Sequence, residues 1–308
     1  MPGGGTLGGA WPQTELRDAV VTRGGARLAV DLRGGGLREL VDGDWHVLDG
    51  YPKGTLPHGR RGGVLFPWPN RLRDGRWRWQ GTDLQLDVTA PQTPVAIHGL
   101  VGSQPWSVLA TEDGAVTVGA LLEPRSGYPF RLAAAIDYAL APGRLTTTFR
   151  VRNTGERPAP FGLGMHPYLH VGDRVDDAEL TLPVRTALDL DDGGLPTGGS
   201  HPFDGAIGRI ADRVLDDALT DLVRDDDGWA RARLSGPTGR IELAVDGAFH
   251  WLQVYTGDTL PPGERRRSVA VEPMTCPPNA LADGADLVVL EPGGEWSGTF
   301  QLSWTRAL

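Results

Sequence analysis

Residues 115–151 read AVTVGALLEPRSGYPFRLAAAIDYALAPGRLTTTFRV, three apolar runs separated by turn-forming residues. The runs Ala115–Leu122, Leu132–Leu140 and Leu145–Val151 have the length and composition of β-strands. The segment Asn153-Thr154-Gly155-Glu156 closes the third run with residues that favour turns. Successive short strands joined in this way are typical of an antiparallel sandwich or barrel.

The same pattern continues on both sides of this stretch. Further strands are predicted at Arg27–Leu32, Arg76–Gln80, Ala232–Leu234, Ile241–Val245, Trp251–Tyr255, Val269–Glu272, Leu287–Leu290 and Gly298–Trp304. The 44 glycines and 25 prolines supply the turns between them. Because only Arg209–Arg224 looks helical in places, we predict an all-β protein with few short helices.

Composition limits the partners of the chain. Hydrophobic residues make up 40% and charged residues 22% of the 308 residues, which is ordinary for a globular protein. The net charge of −9 argues against a nucleic-acid partner, since phosphate binding depends on clustered Lys and Arg. A basic cluster at Arg265-Arg266-Arg267 follows Pro261-Pro262-Gly263-Glu264 and is interpreted as a solvated turn.

The ends and the internal organisation of the chain also support predictions. Residues 1–12 are rich in glycine and are predicted to be disordered, whereas residues 13–308 show no repeat or linker and are predicted to form one domain. The N-terminus lacks the features of a signal peptide, and no window approaches the roughly 18 apolar residues of a membrane span. The single Cys276 rules out an internal disulfide. We therefore expect a cytoplasmic protein with no membrane partner.

Polar residues interrupt the strand-like surroundings at four places. The segments are Phe66–Arg71 (FPWPNR), Ile97–Leu100 (IHGL), Gly164–Tyr168 (GMHPY) and Val269–Pro273 (VAVEP). An Arg, two His and a Glu stand there where a β-rich protein would normally have another apolar residue. Because unpaired buried charges are costly, we predict that these side chains converge on one pocket. An imidazole and a carboxylate meeting there would form an acid–base pair.

Each of these residues, taken alone, also has a structural interpretation. His166 could be a histidine bonded to a backbone carbonyl, Glu272 a member of a salt bridge, and Arg71 a surface or carboxylate-pairing arginine. Tryptophans such as Trp68 could stack on a sugar or belong to the core. The spacing of His166 and His170 would align two metal ligands only on a helix, and Pro167 argues against a helix. No metal site is predicted.

Taken together, these segments resemble the aldose 1-epimerase (galactose mutarotase) family. The motifs occur in the family's order, and the resemblance spans about residues 24–304. They are Pro67–Leu72 with Gly75, His98-Gly99, His166-Pro167-Tyr168, Gln253–Gly257 and Glu272-Pro273. The resemblance implies a large antiparallel β-sandwich of the galactose mutarotase type, with a sugar as the partner and a monomer or homodimer as the assembly.

The resemblance also implies roles for individual residues. His166 matches the general acid of the family and Glu272 its general base. The substrate-binding residues would be Arg71, His98, Asp216, Gln253, Asn70 and Tyr168. Asp217 is the alternative to Asp216, because the two are adjacent. Leu169 stands where galactose-active members usually carry Phe, which leaves the preferred sugar open.

The activity implied is the interconversion of the α and β anomers of a free aldohexose such as glucose or galactose, through the open-chain aldehyde. Glu272 would take the proton from O1 as a carboxylate, while His166 as an imidazolium would protonate the ring oxygen O5. We expect the Glu272 carboxylate to stabilise that imidazolium. The reaction needs no cofactor and no metal.

Three alternatives differ in substrate or class. A hexose-6-phosphate mutarotase would need a basic subsite, for which the candidates are Arg73, Arg76, Arg125 and the run Arg265–Arg267. A non-catalytic carbohydrate-binding module would keep the fold but would have no use for a matched acid and base. A glycoside hydrolase would need two carboxylates at the scissile bond, whereas this chain offers one carboxylate and a histidine.

Overall fold

The computed structural model describes residues 18–88 and 94–307. The prediction of disorder for residues 1–12 lies outside these ranges. Helical structure in the described part is confined to the α-helix α1 (Ala280–Asp283) and two 3₁₀ turns, His58–Arg60 and Val175–Asp177. None of these is long and apolar enough to cross a membrane, so the described residues contain no membrane-spanning helix.

Strands form nearly all of the regular structure. In chain order they are β1 (Asp18–Arg23), β2 (Ala26–Asp31), β3 (Gly36–Asp42), β4 (Trp45–His46), β5 (Val64–Leu65), β6 (Arg71–Arg73), β7 (Arg76–Trp79), β8 (Thr82–Gln85), β9 (Val95–Ile97), β10 (Ser107–Glu112), β11 (Ala115–Leu122), β12 (Leu132–Ala141), β13 (Arg144–Asn153), β14 (Ala159–Phe161), β15 (Gly164–Met165), β16 (Tyr168–Leu169), β17 (Glu179–Thr181), β18 (Thr186–Leu190), β19 (Pro196–Pro202), β20 (Gly208–Arg209), β21 (Asp216–Thr220), β22 (Ala230–Gly236), β23 (Gly239–Val245), β24 (Trp251–Tyr255), β25 (Val269–Met274), β26 (Val288–Leu290) and β27 (Glu295–Arg306). Every strand predicted from the sequence overlaps one of these.

Two large sheets dominate the architecture. One has nine strands in the order β10-β11-β12-β13-β27-β23-β22-β17-β20, and the other has eight, comprising β19-β18-β21-β24-β25-β15-β5 with β16 also paired to β25. A four-stranded sheet, β1-β2-β3-β4, and three two-stranded ribbons complete the described structure. The strand pairings are antiparallel. The predicted fold class, an all-β antiparallel sandwich with few short helices, is confirmed.

A hydrophobic core holds the two large sheets together. Phe149 of β13 lies 6.4 Å from Phe249, two residues before β24, and 6.2 Å from Phe300 of β27 (ring centroids). The core contains many side chains from both sheets, and burial of such aromatic and aliphatic groups is the main favourable term in folding. Trp68 is also part of this core, being 3% exposed, and it does not line the cavity described below.

The helical character expected for Arg209–Arg224 is wrong. This segment contains β20 and β21, and β21 lies between β18 and β24 in the eight-stranded sheet. Its backbone polar groups are therefore satisfied by two neighbouring strands, which outweighs a weak local helical preference. The correction matters for the site, because alternation along β21 directs Asp216 and Asp217 to opposite faces of the sheet.

Candidate active site

A cavity of about 490 Å³ lies beside the eight-stranded sheet, within the size range of small-molecule sites. The structure brings all eight sequence-predicted site residues to its walls: Asn70, Arg71, His98, His166, Tyr168, Asp216, Gln253 and Glu272. They come from β6, β16, β21, β24, β25 and the connections next to β5, β9 and β15. The predicted convergence of the polar segments is therefore what the structure shows.

Strand register explains how these side chains meet. Gln253 of β24 is paired with Glu272 of β25, so the two side chains are cross-strand neighbours on one face. His166 lies between β15 and β16, which both pair with β25 through Gly164↔Met274 and Tyr168↔Ala270. The segment that carries His166 is thus attached to the Glu272 strand on both sides.

His166 and Glu272 are in direct contact. The distance from His166 Nε2 to Glu272 Oε1 is 3.1 Å, and the two residues are only 5% and 2% exposed. The Tyr168 ring stacks parallel to His166 at a centroid distance of 4.9 Å, and the Arg61 guanidinium lies 5.0 Å from the Tyr168 ring. Arg61 is itself paired with Asp49, so the orientation of the imidazole is fixed by a buried stack.

Burial controls the protonation of this pair. Removal from water lowers the pKa of His166 to about 3, and the charges of Arg60 and Arg61 act in the same direction. Burial likewise raises the pKa of Glu272 well above its ordinary value, with Asp216 adding to the effect and Arg71 opposing it. The expected imidazolium is therefore not the favoured state of the free protein. Both shifts favour an uncharged pair, in which the one proton is on the carboxyl group of Glu272 and the imidazole of His166 is neutral.

This shared proton predicts a particular pH dependence of stability. In the unfolded chain His166 and Glu272 titrate near their ordinary values of 6.5 and 4.5, so between these values the unfolded pair also holds one proton. Above pH 6.5 the folded pair keeps a proton that the unfolded pair has lost, so its contribution to stability falls as pH rises, by up to about 1.4 kcal/mol per pH unit. Glu272→Gln should abolish that decline. Urea unfolding of the wild type and of Glu272→Gln at several pH values below and above 6.5 measures this decline. If the free energies of unfolding of the two proteins changed equally with pH above 6.5, the shared proton would be contradicted.

A chain of hydrogen bonds organises the part of the wall next to Glu272. Asn70 Nδ2 donates to Gln253 Oε1 at 3.1 Å, and Gln253 Nε2 donates to Asp216 Oδ1 at 2.7 Å. Arg71 Nη2 lies 3.7 Å from Asp216 Oδ2. Asn70 adopts a left-handed backbone conformation, which asparagine tolerates better than most residues. These groups offer fixed donors and acceptors at positions where hydroxyls of a ligand can bind.

His98 completes the polar lining beside His166. The two imidazole rings meet edge to face at 5.5 Å, and burial lowers the pKa of His98, assisted by the charges of His166, Arg60 and Arg71. His98 Nδ1 and Glu272 Oε2 are buried without a hydrogen-bond partner among the described residues. Because buried polar atoms are normally paired, both atoms are available to a polar ligand.

Sequence reasoning missed several residues of the cavity. They are Pro57, His58, Gly59, Arg60, Ile97, Tyr255, Thr259, Leu260 and Pro261. Most belong to loops around residues 57–60 and 259–261, where no periodicity marks a position as facing a site. The run His58-Gly59-Arg60-Arg61, shortly before the Phe66–Arg71 segment, was the signal available.

The arginines proposed from sequence for a basic subsite lie elsewhere, since none lines the cavity. Arg73 is paired with Asp191, Arg76 bonds Gln85, and Arg125 is exposed. In the run Arg265–Arg267, Arg266 is held by two aspartates and Arg267 by Asp49. His170 contacts the carbonyl oxygen of His46, and the described residues contain no group of three or more side chains that could hold a metal ion.

Known proteins share this architecture and sequence. The family model for aldose 1-epimerase matches residues 19–303. The uncharacterized protein YihR of Escherichia coli (strain K12) is 33% identical over 267 residues, 84% of each chain. Human galactose mutarotase is 25% identical over 213 residues, 66% of this chain and 60% of its own. The crystal structure of a galactose mutarotase-like protein from Clostridium acetobutylicum superposes with a TM-score of 0.80 at 19% identity, covering 94% of this chain and 95% of that one.

Proposed function

The chain belongs to the aldose 1-epimerase family, and on that premise we propose that it interconverts the α and β anomers of an aldohexose by acid–base ring opening. The observation that carries the proposal is the contact between His166 and Glu272 at the cavity wall. O1 and O5 of an aldose are bonded to the same carbon, so the two groups that exchange protons with them must lie side by side. A buried imidazole and carboxyl group 3.1 Å apart meet that requirement.

The proton balance of the reaction matches a pair that holds one proton. Transfer along the contact places the proton on His166 and leaves Glu272 as a carboxylate. Glu272 then removes the proton from O1, the O1–H electrons form the C1=O1 bond, and the electron pair of the C1–O5 bond moves to O5, which His166 protonates. After rotation about C1–C2, the reverse transfers close the ring on the other face. Each positioned transfer contributes about 10²–10⁴-fold to the rate.

The remaining walls hold the sugar during this sequence. Asp216, Gln253 and Asn70 present a connected row of acceptors and donors to ring hydroxyls. Arg71 and His98 also line the cavity, where they would keep the open-chain aldehyde in place. No cofactor or metal takes part in this scheme.

Acceleration of anomer exchange tests the proposal. Two-dimensional NMR exchange between the α and β H1 signals of D-glucose and D-galactose measures the rate at equilibrium, so no pure anomer is required. The protein should increase the exchange rate in proportion to its concentration. Absence of acceleration with these two sugars and with their 6-phosphates would contradict the proposed activity and favour the binding-module alternative.

The two adjacent aspartates of β21 should differ in their effect on binding. Asp216 lines the cavity and bonds Gln253, whereas Asp217 is not part of the lining. We expect Asp216→Asn to raise KM by about 10-fold or more through loss of a charged hydrogen-bond acceptor, and Asp217→Asn to leave KM unchanged. Steady-state exchange rates at several sugar concentrations measure both. Equal effects of the two substitutions would contradict the assignment of Asp216 as the sugar-binding residue.

A further inference from the structure

We propose that Arg60 binds an oxyanion at C6 of the sugar, so that the preferred substrate is an acidic aldohexose derivative rather than a neutral hexose. This inference rests on the function proposed above, because it assigns a substrate class to the same cavity. Carboxylate, phosphate and sulfonate groups share the chemistry that a guanidinium recognises.

Among the residues that the structure describes, the Arg60 side chain has no ionic or hydrogen-bonding partner, unlike those of the other arginines near the cavity. It lines the cavity and is partly buried, yet its side chain forms no ion pair or hydrogen bond with any described residue. The adjacent Arg61 is paired with Asp49 and Glu264, and Arg71 lies beside Asp216. A shielded cation without a counter-ion is costly, and burial lowers the pKa of Arg60 accordingly. An anionic ligand would supply the missing partner.

The backbone around Arg60 is strained and firmly attached to the acid–base pair. Arg60 has a φ of 56°, in the left-handed region that residues other than glycine adopt uncommonly. The loop is joined to the His166 segment by two backbone hydrogen bonds, Gly62 N to His166 O at 2.8 Å and His166 N to Gly63 O at 3.0 Å. The Tyr168 hydroxyl also donates to Gly59 O at 2.9 Å. Arg60 is therefore held at a defined place relative to His166.

The proposed roles of the acid–base pair place C1 of the sugar at Glu272 and direct C6 towards Arg60. The loop that carries Arg60 is bonded to the backbone of His166 through Gly62 and Gly63, whereas Glu272 is paired with Gln253 of the neighbouring strand. Arg60 is therefore attached to the His166 side of the pair. When Glu272 serves O1 and His166 serves O5, the atoms beyond O5 are C5 and its exocyclic C6. A charged group on C6 would lie on the side of the cavity that contains Arg60.

The experiment compares four sugars and three variants by NMR anomer exchange. D-glucose is the neutral reference, and D-glucuronate, D-glucose 6-phosphate and 6-deoxy-6-sulfo-D-glucose present a planar monoanion, a tetrahedral dianion and a tetrahedral monoanion. We expect the wild type to turn over at least one charged sugar with a kcat/KM well above that for glucose. Arg60→Gln should lower this preference by about 10- to 100-fold, because it removes a charge-assisted contact. Arg60→Lys, which keeps the charge, should retain part of it.

The matched control is Arg125→Gln, which removes the same charge from an exposed position outside the cavity lining and should leave the preference unchanged. A wild-type preference for glucose over all three charged sugars, or an unaltered preference in Arg60→Gln, would overturn the anion site while leaving the mutarotase activity intact. Absence of turnover of every sugar by the wild type would instead contradict the proposed function.

In that case, calorimetric binding of the charged sugars tests the anion site separately. Binding that Arg60→Gln abolishes would support the site, and absence of binding would overturn it.

Discussion

Glu272→Gln is expected to lower kcat by about 10²- to 10⁴-fold, the range associated with loss of one positioned proton transfer. Glutamine has the shape of the carboxylic acid form that burial favours at this position, but it cannot accept the proton from O1. The fold should tolerate it, because the replacement is uncharged and Glu272 is buried against a neutral imidazole. Anomer exchange measured at saturating sugar isolates kcat from any change in binding.

The control for this substitution is Glu179→Gln, which makes the same chemical change at an exposed position of β17 in the other large sheet. It should leave kcat and KM unchanged. Retention of wild-type kcat in Glu272→Gln, together with a normal urea-unfolding midpoint, would rule out Glu272 as the base. If Glu272→Gln lost activity because the fold was disturbed, its urea-unfolding midpoint would also shift, which distinguishes this case from loss of the base.

His166→Asn is expected to reduce kcat by a similar factor, about 10²- to 10⁴-fold, because O5 would leave C1 without a proton donor. Asparagine preserves a polar side chain beside Glu272 but cannot carry the proton that the pair shares. His170→Asn is the matched control. His170 lies four residues further on, outside the cavity lining, and its Nδ1 contacts a backbone carbonyl oxygen.

The double variant Glu272→Gln/His166→Asn sharpens this second prediction. Groups that act as one unit show non-additive losses, so the double variant should be little slower than either single variant. Measured exchange rates that fall by the product of the two single effects would show that the residues act independently, contrary to the shared-proton mechanism. An active His166→Asn variant would exclude the imidazole from the chemistry.

The resting state of the pair follows from a competition between two electrostatic effects. Ionic attraction at 3.1 Å favours an imidazolium beside a carboxylate, whereas burial penalises both charges. Arg60 and Arg61 further disfavour a positive charge on His166. Substrate hydroxyls that bond Glu272 Oε2 and the ring nitrogens would favour the charged form, which couples proton transfer within the pair to sugar binding.

Particular elements show how far the sequence alone could predict this fold. The runs at 115–122, 132–140 and 145–151 correspond to β11, β12 and β13, because their length, composition and turns are local properties. The segment 209–224 was misjudged, since pairing of β21 on both edges overrode its local preference. From the sequence, Trp68 could either stack on a sugar or belong to the core, and its burial assigns it to the core.

The site divides in the same way. His166, Glu272 and the other polar side chains stood out because each interrupts an apolar, strand-like segment, and the family motifs gave them an order. Arg60 gave no comparable signal. What singles it out is a left-handed backbone, a side chain without a partner in the described part of the chain, and a loop attached to His166. Two neighbouring carboxylates, Asp216 and Asp217, became distinguishable only when strand alternation placed one of them at the cavity.

The sequence by itself determined the all-β class, the positions of the main strands, the family and the set of polar residues that meet in the cavity. These features depend on side-chain type, periodicity and motif order, which are written along the chain. Only the tertiary structure decided the contact between His166 and Glu272, the burial that disfavours charge on that pair, and the absence of a partner for Arg60 among the described residues. The physical reason is that register, burial and the presence or absence of a partner arise between segments far apart in sequence, and these set both distance and pKa.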